Sequence, residues 1–220
     1  MMRQISFFSE LVREYKQFFQ KDTIFFFDIE GTILKTNIYH EALYQQKYND
    51  ILKSICEKYE ENYLYISRYG RFFNRNLTDK SIYTLLHILK KNQSDICILT
   101  FAKYSFDREK SLKDKKIYFN NQIWTSGNNK GEFILEFLKR KKNFKKIFFI
   151  DDKIEHIENV ENIFNIQKKN YELFTFLYKN LNIFEVTKES FISFWTSVIM
   201  HYKEKQKRKY NNKKIDFYEQ

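Results

Sequence analysis

The chain has 220 residues and 43% hydrophobic content, enough for one domain with an insertion around a sizeable core and unlike the composition of a disordered polymer. Its 39 Lys and Arg against 28 Asp and Glu leave a formal charge of +11, a field that attracts phosphorylated partners. No run approaches the roughly 20 apolar residues of a membrane-spanning helix, so no membrane span is expected.

Near the N-terminus Ile5, Phe8, Leu11, Val12, Tyr15, Phe18 and Phe19 recur at helical spacing, which predicts an amphipathic helix. The segment lacks the apolar stretch of a secretory signal, so a cytoplasmic location is expected, with signal-less export left open. Thr23 to Phe27 is short and almost uniformly apolar, the pattern of a parallel strand buried on both faces. It runs into Asp28, Ile29, Glu30, Gly31 and Thr32. A carboxylate at a strand's carboxyl end stands where open α/β sheets collect ligands, and it can attack phosphorus to form an aspartyl-phosphate. Glu30 shares a face with Asp28 on extended backbone and is placed to move protons. Gly31 permits a tight turn with exposed N–H groups. Alone, this segment fits an ordinary strand-to-loop exit equally well.

Residues 37–78 read as a small helical insertion, with Tyr44, Tyr48, Ile51, Leu52, Ile55, Cys56 and Tyr59 on one face. Its second half holds Tyr63, Tyr65, Arg68, Tyr69, Arg71 and Arg75, which can grip a phosphate-bearing ligand or stack on a base, or can simply be solvated. Asp79 stands near the start of a helix through Leu89. Asp95 to Leu99 is a second buried strand, ending in Thr100, whose hydroxyl can hold a phosphate oxygen or merely close a strand. Lys103 to Asn121 reads as a charged, irregular stretch.

Trp124 to Gly131 leads into a helix with Phe133, Ile134, Phe137 and Leu138 at helical spacing. Lys130 falls in its first turn, where the helix dipole disfavours a cation by about 0.3–1 kcal/mol. On that argument its removal should leave stability unchanged or improved. Lys146 to Asp152 is a third buried strand, ending in the pair Asp151 and Asp152. With Asp28 they supply the hard oxygen ligands that Mg²⁺ prefers. Ile157, Val160, Ile163 and Phe164 mark another helix, Leu173 to Tyr178 a last core strand, and Phe191, Phe194, Trp195, Val198 and Tyr202 the closing helix of the core. Lys203 to Lys214 is the densest basic run and reads as a solvated, frayed helix end. Cys56 and Cys97 read as free buried thiols of a reducing compartment.

Taken together, Asp28-Ile-Glu30-Gly-Thr32, Leu99-Thr100, Thr125-Ser-Gly-Asn-Asn-Lys130-Gly131 and Phe149-Ile-Asp151-Asp152 resemble the four motifs, in order, of a haloacid dehalogenase-like (HAD) superfamily phosphatase. Within it the chain most resembles an uncharacterised bacterial branch. The resemblance implies a three-layer α/β/α sandwich with a parallel central sheet and a small helical cap, the core being residues 1–36 and 79–220 and the cap 37–78. It implies Asp28 as nucleophile, Glu30 as general acid/base, and Thr100 and Lys130 as ligands of the transferring phosphoryl group. Mg²⁺ would be held by Asp28, the Glu30 carbonyl and Asp152, with Asp151 beside it.

Two positions depart from that pattern: Glu30 stands where Asp is usual, as it does in the enolase-phosphatase branch, and His156 stands where Asn or Asp usually supports the metal acid. The partner expected is a phosphorylated small molecule or macromolecule. Nucleic acid is not favoured, because the absence of Pro and the excess of Lys, Asn, Ile, Phe and Tyr are what drift toward A/T-rich codons produces. The alternative is a catalytically weak scaffold that binds protein or nucleic acid through its basic cap and tail.

Overall fold

The computed structural model describes residues 2–35, 37–71, 73, 76–141, 143–167, 171–179 and 185–218. In chain order its elements are β1 (Arg3–Ile5), α1 (Phe8–Tyr15), β2 (Thr23–Phe27), α2 (Ile38–Glu41), α3 (Gln46–Lys58), α4 (Tyr63–Arg71), α5 (Ile82–Lys91) and β3 (Asp95–Thr100). There follow α6 (Phe106–Asp114), β4 (Asn121–Trp124), α7 (Lys130–Arg140), β5 (Lys146–Asp151), α8 (Ile154–Gln167), β6 (Glu172–Tyr178) and α9 (Lys188–Tyr218). Among the described residues no helix is long and apolar enough to cross a membrane.

Two compact units result. The first comprises Met1–Lys35 and Asn76–Ile183, and the second Thr36–Arg75 and Phe184–Gln220. Among the described residues six strands form, all in the first unit and paired in parallel in the order β1-β6-β5-β2-β3-β4. Successive strand residues point to opposite faces, so Phe25 and Phe27 join one apolar layer and Ile24 and Phe26 the other. The first layer is closed by Phe8, Leu11 and Tyr15 of α1, Ile82, Leu85 and Leu89 of α5 and Leu112 of α6. The second is closed by Ile134, Leu135 and Leu138 of α7 and Ile157, Val160 and Phe164 of α8. A parallel sheet covered on both faces is thus the three-layer α/β/α sandwich expected. Phe25, Phe148 and Phe174 form a stack across β2, β5 and β6, with ring centroids 4.4 and 4.6 Å apart. Phe25 and Phe148 are fully buried, which contributes about 1.5–3 kcal/mol each, while Phe174 is partly buried.

The chain runs from β2 to β3 and β4 on one side, then returns to β5 on the other. Such a reversal opens a crevice at the carboxyl ends of β2 and β5, where sheets of this kind hold ligands. Immediately after β2 the backbone turns sharply and is tied down by residues 76–78. Lys35 N–H donates to the Asn76 carbonyl at 2.8 Å and Thr78 N–H to that of Ile33 at 2.9 Å.

Several elements differ from expectation. The N-terminal helix begins at Phe8, because Arg3–Ile5 pairs with β6 as an edge strand. The stretch read as irregular contains α6 and leads into the edge strand β4. The C-terminal helix, expected in the core, belongs to the second unit. There Phe191, Trp195, Val198 and Ile199 of α9 are buried with Leu43, Tyr48, Leu52, Cys56 and Ile66. The Arg68 and Arg71 of the tyrosine-arginine cluster lie on α4 and are exposed, while Arg75 is outside the described residues. Lys203 is not a frayed end: its Nζ donates to the Tyr59 carbonyl at 2.7 Å.

Gly70 of α4 faces Trp195, and a Cβ there would lie 2.2 Å from Cζ3 of that buried ring. Inside a helix, Ala in place of Gly normally gains about 0.5–1 kcal/mol. Overpacking a tight core costs about 1–3 kcal/mol and should win. Gly70→Ala is therefore expected to lower the urea midpoint of unfolding, and a raised midpoint would mean that Trp195 yields without strain.

Candidate active site at the carboxyl ends of the sheet

Register brings the carboxylates together. Phe27 pairs with Ile150, and Asp28 N–H donates to the Ile150 carbonyl at 3.0 Å, so Asp28 and Asp151 leave adjacent strands at the same level. Two carboxylates side by side repel. Between them lies Lys130, at the start of α7, whose Nζ donates to Asp28 Oδ1 at 2.5 Å and to Asp151 Oδ2 at 2.6 Å. All three residues are buried.

Asp151 is held further by the Lys153 N–H at 2.9 Å and by His156, whose Nδ1 lies 3.1 Å from each carboxylate oxygen. The imidazole stacks on Phe101 at 5.1 Å. Asp152 packs against Gly31: a Cβ on that glycine would lie 2.1 Å from Asp152 Oδ2, and the glycine's φ of +83° is one that L side chains rarely adopt. Gly31 is thus required both by the turn and by the neighbouring acid. Its own N–H is not exposed as expected, because it donates to the Leu34 carbonyl at 2.8 Å.

These contacts set the local electrostatics. Burial pushes the Asp28 carboxyl well above the usual carboxylate range, against the pull of Lys130 and with the repulsion of Asp151 and Glu30 added. At Asp151 burial also pushes upward, yet the His156 hydrogen bond and the Lys130 charge hold the value below the ordinary one. Burial acts to lower Lys130, but Asp28 and Asp151 keep it above the ordinary lysine value. Asp152 is pushed up to about 6 by burial and then by the charge of Asp151. Ligand oxygens of Asp28, Asp151 and Asp152 lie within 4.8 Å of one another. Three hard oxygen donors sharing one ammonium leave an excess of negative charge, and that donor set fits a divalent cation such as Mg²⁺.

Thr100, the last residue of β3, lies at the same edge of the sheet and is buried, its Oγ1 accepting from the Ala102 N–H at 3.4 Å. Glu30 is not joined to Lys130 in the same way. Its Oε1 accepts from Nε of Arg108, on α6, at 2.6 Å. Sequence reading missed Arg108 because α6 carries little apolar periodicity. The available signal was Ser105 at the N-cap position followed by Asp107 and Glu109 in the first turn, which marks a helix start and not a site. The two thiols lie outside this chemistry: burial pushes Cys56 up to about 11 and Cys97 higher still.

Residues 76–189, more than half of the chain, match the family described as "Protein of unknown function (DUF2608)". The chain belongs to this family. Among solved structures it is similar to a HAD family hydrolase from Salmonella enterica subsp. enterica serovar Typhi, at 11% identity and a TM-score of 0.42, covering 74% of this chain and 73% of that one. No curated protein matches the chain. The family match includes Thr100, Lys130, Asp151 and Asp152, while Asp28 and Glu30 precede it.

Burial reverses the expectation that Lys130 is dispensable for stability. Removing one partner from a buried charge cluster costs about 3–5 kcal/mol, several times the dipole penalty. Lys130→Met should therefore be strongly destabilised in urea unfolding, and Asp28→Asn should recover part of the loss in that background. Unchanged stability in Lys130→Met would show that the carboxylates shed their charge at little cost.

Proposed function

We propose that this protein is a HAD-type phosphatase or phosphotransferase, dependent on Mg²⁺ and acting through an aspartyl-phosphate on Asp28. The observation that carries the reading is the lysine-bridged pair Asp28 and Asp151, with Asp152 beside them, at the carboxyl ends of adjacent parallel strands. A buried ion cluster is a poor way to stabilise a fold, since well-packed apolar residues do as well or better. Its place in the crevice favours a chemical role instead.

In this reading an Asp28 oxygen attacks phosphorus, the P–O bond to the leaving group breaks, and the leaving oxygen takes a proton from Glu30. Glu30 then accepts a proton from the water that attacks the phosphoryl group, which regenerates the Asp28 carboxylate. Lys130 restrains Asp28 and offsets charge on the phosphoryl oxygens, and Thr100 serves as a hydrogen-bonding ligand of the same group. Asp28, Asp152, Asp151 and the Glu30 carbonyl would hold Mg²⁺, which when bound supplies charge neutralisation for the phosphoryl group. Residues 37–78 are assigned as the cap from their place in the chain between the first two motifs, and the substrate as a phosphate monoester.

The test is turnover of p-nitrophenyl phosphate with and without Mg²⁺. Asp28→Asn, nearly isosteric but a poor nucleophile, should abolish it without unfolding the protein. Glu30→Gln should slow it by about 10²- to 10⁴-fold, the usual worth of general acid–base catalysis. Full activity in correctly folded Asp28→Asn would exclude a covalent mechanism.

Calorimetric titration with Mg²⁺ checks the metal assignment independently of turnover. Asp152→Ala should weaken binding far more than His156→Ala, because the imidazole acts on the cation only through Asp151. The reverse order would mean that the final motif is assigned wrongly.

A further inference from the structure

The pairing of Glu30 with Arg108 is unexplained by the proposed chemistry and is unusual in its own right. On α6 the buried face consists of Arg108 and Leu112, one helical turn apart, while Phe106 remains 66% exposed. The helix therefore buries an arginine and leaves a phenylalanine in water, the opposite of what hydrophobicity selects. Arg108 also sits in the helix's first turn, where the dipole opposes a cation. The charge-assisted bond from Arg108 Nε to Glu30 Oε1 at 2.6 Å offsets these penalties, and Arg108 Nη1 also donates to the Lys103 carbonyl at 3.4 Å. The Arg108 side chain is 7% exposed and that of Glu30 25%, so the acid remains partly open to solvent while its partner is enclosed.

Glutamate has one more rotatable bond than aspartate, and a free glutamate at the mouth of a crevice samples several positions of its carboxyl group. A proton carrier must instead lie within hydrogen-bond reach of the reacting oxygen. We propose that Arg108 is a positioning residue that fixes the Glu30 carboxylate as the base that takes a proton from the attacking water, and that this pair is why glutamate serves at this position. The proposal rests on the phosphatase reading for the reaction itself, and on the observed ion pair for the placement. The guanidinium is suited to the task because it is planar, always charged and donates in a fixed direction.

Two measurements test it. The first is steady-state hydrolysis of p-nitrophenyl phosphate by the full chain and its variants. Arg108→Gln should lower kcat by about 10- to 100-fold with little change in KM, the scale on which small misplacements act. In a Glu30→Gln background the same substitution should add less than about twofold, because the group it positions is already gone. Arg108→Lys should restore part of the rate. Glu30→Asp, which installs the acid usual in the superfamily, should slow the enzyme, since the shortened side chain draws its carboxylate away from Arg108 by about one bond length, on the order of 1.5 Å. An equal loss in both backgrounds, a change confined to KM, a rise in kcat on removing Arg108, or an undiminished rate in Glu30→Asp would each overturn the proposal.

The second measurement needs no turnover: crystals of the wild type and of Arg108→Gln. The Glu30 carboxylate should be ordered against Arg108 in the first and displaced or disordered in the second. An unmoved carboxylate overturns the proposal whatever the kinetics. A displaced carboxylate in a protein whose wild type hydrolyses nothing would remove the phosphatase reading and uphold the hold of Arg108 on Glu30.

Discussion

Lys130 lies between two carboxylates that the sheet forces together, and the arrangement of the whole crevice depends on that ammonium. The parallel register of β2 and β5 aligns Phe27 with Ile150, and so sets Asp28 and Asp151 side by side at the strand ends. Strand register in a sheet buried on both faces is strongly specified, because a slip by one residue would exchange the apolar sets of the two layers. The carboxylates consequently have no freedom to separate along their strands. A cation delivered from a third element relieves the repulsion, and α7 delivers it against the preference of its own dipole. Folding of the α7 start, placement of both acids and the chemistry of the site thereby become one problem.

Much of this was readable from residues alone, and the parts that were not share physical causes. The apolar runs Ile24 to Phe27, Ile96 to Leu99 and Ile147 to Ile150 announce central parallel strands, because only a strand covered on both faces needs apolar residues at successive positions. Edge strands carry no such signal. Arg3–Ile5 and Asn121–Trp124 are short and only partly buried, so their composition resembles that of a loop. Helix α6 escaped for a related reason, since its buried face consists of an arginine and a leucine. Amphipathic spacing identified the buried side of α9 correctly but not its partners: periodicity reports that a face is covered, not what covers it.

The candidate site was legible in its membership and less so in its energetics. Dipole reasoning singled out Lys130 as misplaced, yet it treated the side chain as solvated, and full burial between two acids changes the sign of the expected stability effect. Likewise Gly31 was chosen for its turn, whereas the close approach of Asp152 constrains it equally. Close approach between residues 121 positions apart in sequence follows from topology, and no local pattern records it.

The family match supplies only part of the crevice, and the sheet supplies the rest. Thr100, Lys130 and the Asp151-Asp152 pair all fall within residues 76–189, on segments that follow or end β3, β4 and β5. Asp28 and Glu30 lie upstream, and enter the site because β2 is hydrogen-bonded between β3 and β5, two strands of the matched region. Without β2 those strands would present unpaired edges to water at the centre of the unit, together with the apolar faces that Phe25 and Phe26 cover. The same hydrogen bonds that complete the sheet therefore complete the acid cluster, and any change that weakens the docking of β2 must disturb both.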